Sequence, residues 1–217
     1  MCRREARRAK KFLFIIRLRE PCAIPRTYLG PLVCFLRDYD LDELRQSVSA
    51  VFQEFVRYEF SVADNIAFGD VAAIGDRARV ESAARRTGAH GLIEALPAGY
   101  DTVLGRTFDE GVDLSGGEWQ FLAITRALMS NAEVLILDEP TAHLDALREQ
   151  ELYERFASLT RGRTVVFVSH RFSTVRMADT IAVIENGRVA EIGSHDELMT
   201  QGGKYARMYR VQASRYS

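Results

Sequence analysis

Apolar residues recur every three to four positions in several segments after about residue 40, which predicts amphipathic helices there. In one such segment the pattern turns Val80, Ala83 and Ala84 towards the interior. The predicted helices are Asp40 to Gln46, Asp76 to Thr87, a helix that follows Glu118 and ends near Met129, Ala146 to Leu159, and a final helix with Tyr205, Met208 and Tyr209 on one side. Gly, Pro and Asp residues predict loops from Thr87 to Leu114.

Short continuous apolar runs predict strands between these helices. Two of them are rich in Val and Ile and each follows a helical segment, as buried parallel strands do. The predicted strands are Ser47 to Phe52, Ala132 to Leu137, Arg163 to Ser169, Thr180 to Ile184 and Arg188 to Ile192. Asn186-Gly187 lies between the last two and suits the positive backbone angles of a tight hairpin turn. We therefore expect an α/β fold.

Length and composition limit the class of protein. The chain has 217 residues, 47% of them apolar and 27% charged, which is enough for one domain or two with a buried core. Its longest apolar runs, Phe12 to Ile16 and Leu32 to Leu36, are far shorter than the roughly 20 residues of a membrane-spanning helix. No small-residue cleavage site follows the first run, so the sequence favours a cytosolic location.

Charge is distributed unevenly along the chain. Residues 1–36 contain nine Lys or Arg and two Glu, a net charge of +7, whereas the remaining residues carry a net charge of −8. A basic segment of this kind can contact nucleic acid, but no recognition helix follows it and we expect no nucleic-acid partner. The three cysteines, Cys2, Cys22 and Cys34, have neither the spacing of a zinc site nor a neighbouring histidine, so they suggest neither metal nor disulfide.

Two adjacent carboxylates end one of the predicted strands. The segment Val134 to Pro140 reads Val-Leu-Ile-Leu-Asp-Glu-Pro, which places Asp138 and Glu139 at the carboxyl edge of a parallel sheet, where ligands bind. Such a pair can hold magnesium and activate a water molecule. The alternative is a strand followed by an ordinary acidic turn.

Two glycines mark the start of one predicted helix. Leu114-Ser115-Gly116-Gly117-Glu118 contains the S-x-x-E capping box, which by itself indicates only a well-capped helix. The glycines also leave backbone N–H groups open to another molecule at the positive end of the helix, an arrangement that binds phosphate.

Together these segments resemble the nucleotide-binding domain of ATP-binding cassette transporters over about Arg37 to Tyr216. The motifs occur in the family's order, namely Gln53, Leu114 to Glu118, Val134 to Pro140, Thr141 to Asp145, and Val168-Ser169-His170. Three further segments are similar to the exporter branch of the family, namely Ser61 to Gly69, Leu96 to Val103, and Gly193 to Leu198 with the closing Gly203 to Arg207.

The resemblance implies roles in ATP hydrolysis for four residues. Asp138 would bind magnesium and Gln53 would sense both magnesium and the attacking water. Glu139 would act as general base, and His170 would donate a hydrogen bond to the γ-phosphate of ATP. Taken singly, His170 could be a histidine at the end of a strand and Gln53 a polar strand terminus.

The resemblance also implies a pair of cassettes that enclose ATP between them. Ser115, Gly116, Gly117 and Glu118 form the segment that contacts ATP held by the opposite subunit, and Asp145 would lie at the seam between subunits. Asp145 could also be merely the N-cap of the helix after it.

One motif of the family is missing from these 217 residues. A P-loop needs G-x-x-x-x-G-K-[ST], whose amides and lysine hold the phosphates. The three lysines are Lys10, Lys11 and Lys204, and none has this context. For the atypical basic leader at residues 1–36 we keep several explanations open: a disordered or evolved arm, an out-of-frame translation that displaces the P-loop, or a separately encoded P-loop half.

The sequence therefore predicts an incomplete RecA-like P-loop NTPase core with a parallel sheet, formed by residues 37–53 and 131–217, and a helical subdomain at about 55–130. The resemblance implies a truncated exporter-type cassette that uses ATP and Mg²⁺. Its partners would be a transmembrane domain and a second nucleotide-binding domain in a homo- or heterodimer. It would lie at the cytoplasmic face of the plasma membrane. The alternative is a non-catalytic cassette that offers its signature segment to a partner's ATP site.

Overall fold

The computed structural model describes residues 13–16, 40–106, 111–169 and 171–213. These residues belong to two compact units. The larger lies within 40–166, and the smaller combines 13–16 with 167–213. Apart from the strand at Leu13–Ile16, the predictions for residues 1–36 and their cysteines lie outside the described residues. The predicted boundary between a helical and a RecA-like part remains a prediction.

Nine α-helices and six strands occur in the described residues. The helices are α1 Leu41–Ser47, α2 Val62–Ala67, α3 Arg77–Thr87, α4 His90–Glu94, α5 Gly116–Met129, α6 Ala146–Leu159, α7 Phe172–Val175, α8 His195–Gln201 and α9 Lys204–Ala213. The strands are β1 Leu13–Ile16, β2 Val48–Val51, β3 Val134–Asp138, β4 Thr164–Val168, β5 Ile181–Glu185 and β6 Arg188–Gly193. Single 3₁₀ turns are present at Val71–Ala73 and Gly99–Asp101.

The parallel pair β2 and β3 forms the centre of the larger unit. Val48 pairs with Val134 and Val51 pairs with Leu137, so both strands run in the same direction and end at the same edge. Leu135 and Leu137 are completely buried, as expected for strands covered on both faces. At the start of β4, the amide of Thr164 donates to the carbonyl oxygen of Glu133 at 2.8 Å. The predicted α/β fold with a parallel sheet is confirmed.

Helix α5 supplies much of the core of the larger unit. Ten of its fourteen residues are buried, among them Trp119, Leu122 and Ile124. A buried hydroxyl pair, Thr87 Oγ1 and Thr125 Oγ1 at 3.0 Å, joins α3 to α5. Helix α5 is apolar over most of its circumference, so other elements pack against it on several sides. This packing also fixes the position of its two ends.

The smaller unit contains a hairpin followed by two helices. β5 and β6 pair antiparallel, and the turn between them has positive φ at Asn186 (51°) and Gly187 (76°), as the dipeptide predicts. The carboxylate of Glu191 on β6 accepts the amide of Tyr205 at 3.0 Å and so caps the start of α9. Phe172 packs against the rings of Tyr205 and Tyr209.

Most of the predicted elements are confirmed to within two residues, including the helix at Ala146–Leu159. The prediction of loops from Thr87 to Leu114 is wrong, because α4 and one 3₁₀ turn lie there. Helix α4 has no side-chain cap and contains Gly91, so it has weak local signals; it is stabilised by the burial of Ile93 and a 2.8 Å hydrogen bond between His90 and Tyr100. Helices α2, α7 and α8 were not predicted.

Within the part of the chain that the structure describes, no helix has both the length and the apolar character needed to cross a membrane.

Candidate functional site

The amino end of α5 carries a complete capping box. The amide of Ser115 donates to Glu118 Oε2 at 2.8 Å, and the amide of Glu118 donates to Ser115 Oγ at 3.3 Å. Ser115 is exposed, and Gly116 and Gly117 are half-buried. The carboxylate of Glu118 therefore orders the end of the helix, where the amides of the first turn and the helix dipole together favour an anion.

The turn after β3 carries the adjacent carboxylates. Asp138 is the last residue of the strand, and both Asp138 and Glu139 are half-buried. Glu139 has a φ of 48°, in the left-handed region that residues with a side chain rarely occupy. Its carbonyl oxygen accepts the amide of Ala142 at 3.1 Å, which closes the turn. Backbone strain of this kind persists only where the surroundings hold it, and it is concentrated at functional sites.

A buried glutamine on α5 connects the helix to this turn. Gln120 is completely buried. Its Nε2 donates to the carbonyl oxygen of Glu139 at 3.0 Å, and its Oε1 accepts the amide of His143 at 2.8 Å. The side chain of Gln120 thus uses both its donor and its acceptor to hold the two ends of the segment from Glu139 to His143.

Gly117 makes a second contact between the helix and the turn. A Cβ on this glycine would lie 2.7 Å from the carbonyl oxygen of His143, too close for any side chain. Gly117 and Gln120 are three residues apart and so share one face of α5. The structure therefore brings the glycine-rich segment and the turn with Glu139 together, as two parts of one site.

Gln53 and Asp138 follow neighbouring strands at the same edge of the sheet. The register of β2 and β3 sets Val51 beside Leu137, with Gln53 two residues after the first and Asp138 one residue after the second. Gln53 is exposed.

Asp145 is the N-cap of α6. Its Oδ1 accepts the amides of Leu147 at 3.1 Å and Arg148 at 2.9 Å, so the structural role considered from the sequence is confirmed. The side chain is exposed, and a role at a subunit seam stays a prediction. His170, the fourth residue given a role in hydrolysis, lies outside the described residues.

The family model for ABC transporters matches residues 34–142, half of this chain. This chain belongs to the ABC transporter family. We call Ser115 to Glu118 the signature segment, after the family motif that it resembles; the roles given to this segment and to Asp138 and Glu139 stay predictions.

The relatives of this chain are ABC exporters. It is 45% identical over 177 residues to an ATP-dependent lipid A-core flippase of Chromohalobacter salexigens, covering 82% of this chain and 30% of the relative. It is 44% identical to the flippase of Aromatoleum aromaticum, with 82% and 29% covered. It is 42% identical to multidrug resistance protein homolog 65 of Drosophila melanogaster, with 81% and 13% covered. The chain thus spans less than a third of the length of these relatives.

A solved structure of a bacterial Atm1-family ABC exporter with ATP bound is similar to this chain. The two superpose with a TM-score of 0.72 at 39% sequence identity, covering 79% of this chain and 29% of the exporter. The cassette fold is therefore shared over most of the chain.

ABC cassettes use magnesium with ATP, and the oxygen donors at this edge of the sheet suit that ion. Asp138 offers carboxylate oxygens and Gln53 an amide oxygen, the ligand type that magnesium prefers. Among the residues that the structure describes, no three His, Cys, Asp or Glu side chains are grouped to hold a metal. Magnesium usually keeps several waters and takes further oxygens from phosphates, so oxygen donors of this type suit it.

Two residues that connect α5 to other segments were missed by the sequence reasoning. Gln120 is one, and Arg126 is the other: its guanidinium hydrogen-bonds the backbone of Val56 and Asn65. Each is a polar residue within an otherwise apolar helix, and that contrast was the available signal.

Proposed function

We propose that this chain acts as the ATP-binding cassette of an exporter and energises transport by binding and hydrolysing ATP with Mg²⁺. The observation that carries the proposal is the packing of the signature segment against the turn with Glu139, through Gln120 and Gly117. It joins a phosphate-binding helix end to a carboxylate suited to general-base chemistry. The high identity to lipid A-core flippases supports export.

Each residue of the site then has a specific task. Asp138 and Gln53 would hold a magnesium ion through their side-chain oxygens, and the ion would supply positive charge next to the phosphates. Glu139 takes a proton from the attacking water, and its backbone has the left-handed φ of 48°. His170 donates to the γ-phosphate.

We further propose that the signature segment serves ATP held by a second cassette, in a homo- or heterodimer. The helix end is accessible, since Ser115 is exposed, and its first-turn amides suit a phosphate supplied from outside. Asp145, also exposed, would lie at the seam between the two cassettes.

The membrane partner would contact the segment that follows β2. Three apolar side chains there, Phe52, Val56 and Phe60, are each more than half exposed. A cluster of this kind is typical of a surface that another protein covers. We propose that a transmembrane domain docks there and that the cassette lies at the cytoplasmic face of the plasma membrane.

Association with a P-loop-containing exporter cassette tests the dimer. We expect Mg-ATP to drive association of the two chains. Ser115→Arg should abolish this association, because the larger, positively charged arginine side chain would fill the position of the phosphate. Ser158→Arg, at an exposed serine of α6, is the matched control and should leave association unchanged. Association that survives Ser115→Arg would contradict the proposal.

ATP turnover by the mixture of this chain and the P-loop-containing cassette distinguishes the catalytic proposal from the non-catalytic alternative. If Glu139 is a base in the assembled pair, Glu139→Gln in this chain lowers turnover. If this chain only completes the partner's site, turnover is unchanged by Glu139→Gln and falls with Ser115→Arg.

A further inference from the structure

Gln120 is completely buried, and both its amide nitrogen and its amide oxygen hydrogen-bond to backbone groups. The side chain has no solvent exposure, and its two hydrogen bonds, at 3.0 Å to Glu139 O and 2.8 Å to His143 N, reach 19 and 23 residues along the chain. A completely buried amide with both ends paired favours one position of the groups that it contacts, because breaking either bond leaves a polar atom of the buried amide unpaired.

We propose that Gln120 is a positioning residue that holds the turn with Glu139 in register with the signature segment, an inference that rests on the proposed function. Its donor holds the carbonyl of Glu139, the residue with left-handed φ, and its acceptor holds His143, whose carbonyl abuts Gly117.

The consequence concerns two different nucleotides. In the proposed dimer the signature segment contacts ATP held by the partner, whereas Glu139 faces the chain's own nucleotide position. A side chain that fixes one relative to the other couples the two positions through two residues on one face of α5, Gly117 and Gln120, and the turn that they contact.

Three substitutions test the positioning role of Gln120. Gln120→Met keeps the size of the side chain and removes both hydrogen bonds. Gln120→Glu keeps the acceptor for His143 and can donate to Glu139 O only when the carboxyl is protonated. Gln150→Met is the matched control, because Gln150 is exposed on α6 and its Nε2 donates to Glu154 Oε1 at 2.9 Å within the same helix.

The first measurement uses the chain alone. Deuterium exchange at the amide of His143 should be at least about tenfold faster in Gln120→Met than in wild type, since the amide loses its buried acceptor. Gln150→Met should exchange at the wild-type rate. Equal protection of the His143 amide in Gln120→Met and wild type would overturn the inference.

The second measurement is Mg-ATP-driven association with a P-loop-containing cassette. We expect association about tenfold weaker for Gln120→Met and unchanged for Gln150→Met. Burial raises the pKa of a carboxyl, so Gln120→Glu should bind weakly at about pH 8 and recover as the pH falls to about 6, where the protonated carboxyl can donate to Glu139 O. This recovery within one folded variant is not expected of a residue that only fills space.

The outcomes separate the inference from the proposed function. No association by the wild-type chain contradicts the proposed function and, with it, the coupling of two nucleotides. Wild-type association that Ser115→Arg abolishes but Gln120→Met leaves intact contradicts the inference alone. A Gln120→Glu variant whose association follows the wild-type pH dependence contradicts it as well.

Discussion

Arg126 Nη1 donates to the carbonyl oxygen of Val56 at 3.0 Å, across 70 residues of chain. The same guanidinium donates from Nε to Asn65 O and from Nη2 to Asn65 Oδ1, each at 2.7 Å, and lies 4.6 Å from the ring centre of Tyr58. The exposed apolar segment after β2 is therefore tied to α5, the helix that begins with the signature segment. A movement of either one would be transmitted to the other through this side chain.

The planar guanidinium of Arg126 should be essential to the connection between α5 and the segment after β2. Arg126→Lys keeps the charge but cannot donate three hydrogen bonds in the same plane, so we expect a loss of about 2–3 kcal/mol in the free energy of unfolding. Urea denaturation measures it. Arg45→Lys is the control, since Arg45 is 74% exposed and pairs only with Asp42 in the same helix; its loss should stay within about 0.5 kcal/mol. Equal losses would contradict the role given to Arg126.

Gly69 packs directly against the backbone of Arg126. A Cβ at Gly69 would lie 1.8 Å from the carbonyl oxygen of Arg126, so Gly69→Ala must force α2 and α5 apart. We expect destabilisation of about 1–3 kcal/mol or more. The same substitution at Gly91, inside α4 with no atom within 4 Å of the new Cβ, should instead stabilise by about 0.5–1 kcal/mol. Thermal unfolding of the two variants tests this difference in sign.

Local signals account for the elements that the sequence predicts well. The S-x-x-E box at Ser115, the N-cap Asp145 and the Asn186-Gly187 turn each place a boundary through hydrogen bonds or backbone angles within a few residues. Helix α4 has no side-chain cap, whereas α2 is capped by Ser61, whose Oγ accepts the amide of Asp64 at 3.0 Å, but has only six residues. The side chain of Asn65 in α2 donates to the carbonyl oxygens of Tyr58 and Ser61 and accepts from Arg126 on α5. The bond with Arg126 forms only when the distant helix is in place.

The same distinction applies to the site. The order of motifs along the chain was sufficient to select Ser115, Asp138 and Glu139. Gln120 escaped selection because its function depends on partners 19 and 23 residues away, and no spacing rule brings those backbone groups to a side chain. The left-handed φ of Glu139 could not be predicted from the sequence either, since only the folded turn requires it.

The 217-residue chain alone should not turn over ATP above background. Asp138 and Glu139 cannot act on a nucleotide whose phosphates are not positioned, and the sequence has no G-x-x-x-x-G-K-[ST] to position them. Phosphate release from Mg-ATP measures this, with Glu139→Gln as the control that should be indistinguishable from wild type. Magnesium-dependent release that Glu139→Gln abolishes would show that other residues hold the phosphates.

The loss of stability of the smaller unit at acid pH should depend on Glu197. Glu197 Oε2 accepts the amide of Ser194 at 2.8 Å in the capping box of α8, and this bond, with the Ser194 hydroxyl, lowers the pKa of the Glu197 carboxyl. A lowered pKa means that the folded state prefers the charged form, so the stabilisation is present above the unfolded-state pKa of about 4.5 and is lost as the pH falls through the folded-state value.

The comparison of Glu197→Gln with wild type isolates this contribution. We expect the variant to be less stable than wild type near neutral pH and the difference between them to shrink below about pH 4, because protonation removes the charge from the wild-type side chain as well. This stability difference is measured from urea unfolding midpoints at several pH values, with the hydrogen exchange of the α8 amides as the readout of unfolding. Asp196→Asn removes a neighbouring charge from the same turn but leaves the capping box intact, so it should shift the midpoint less. A difference between wild type and Glu197→Gln that stays constant from neutral to acid pH would show that the carboxylate charge does not stabilise the cap.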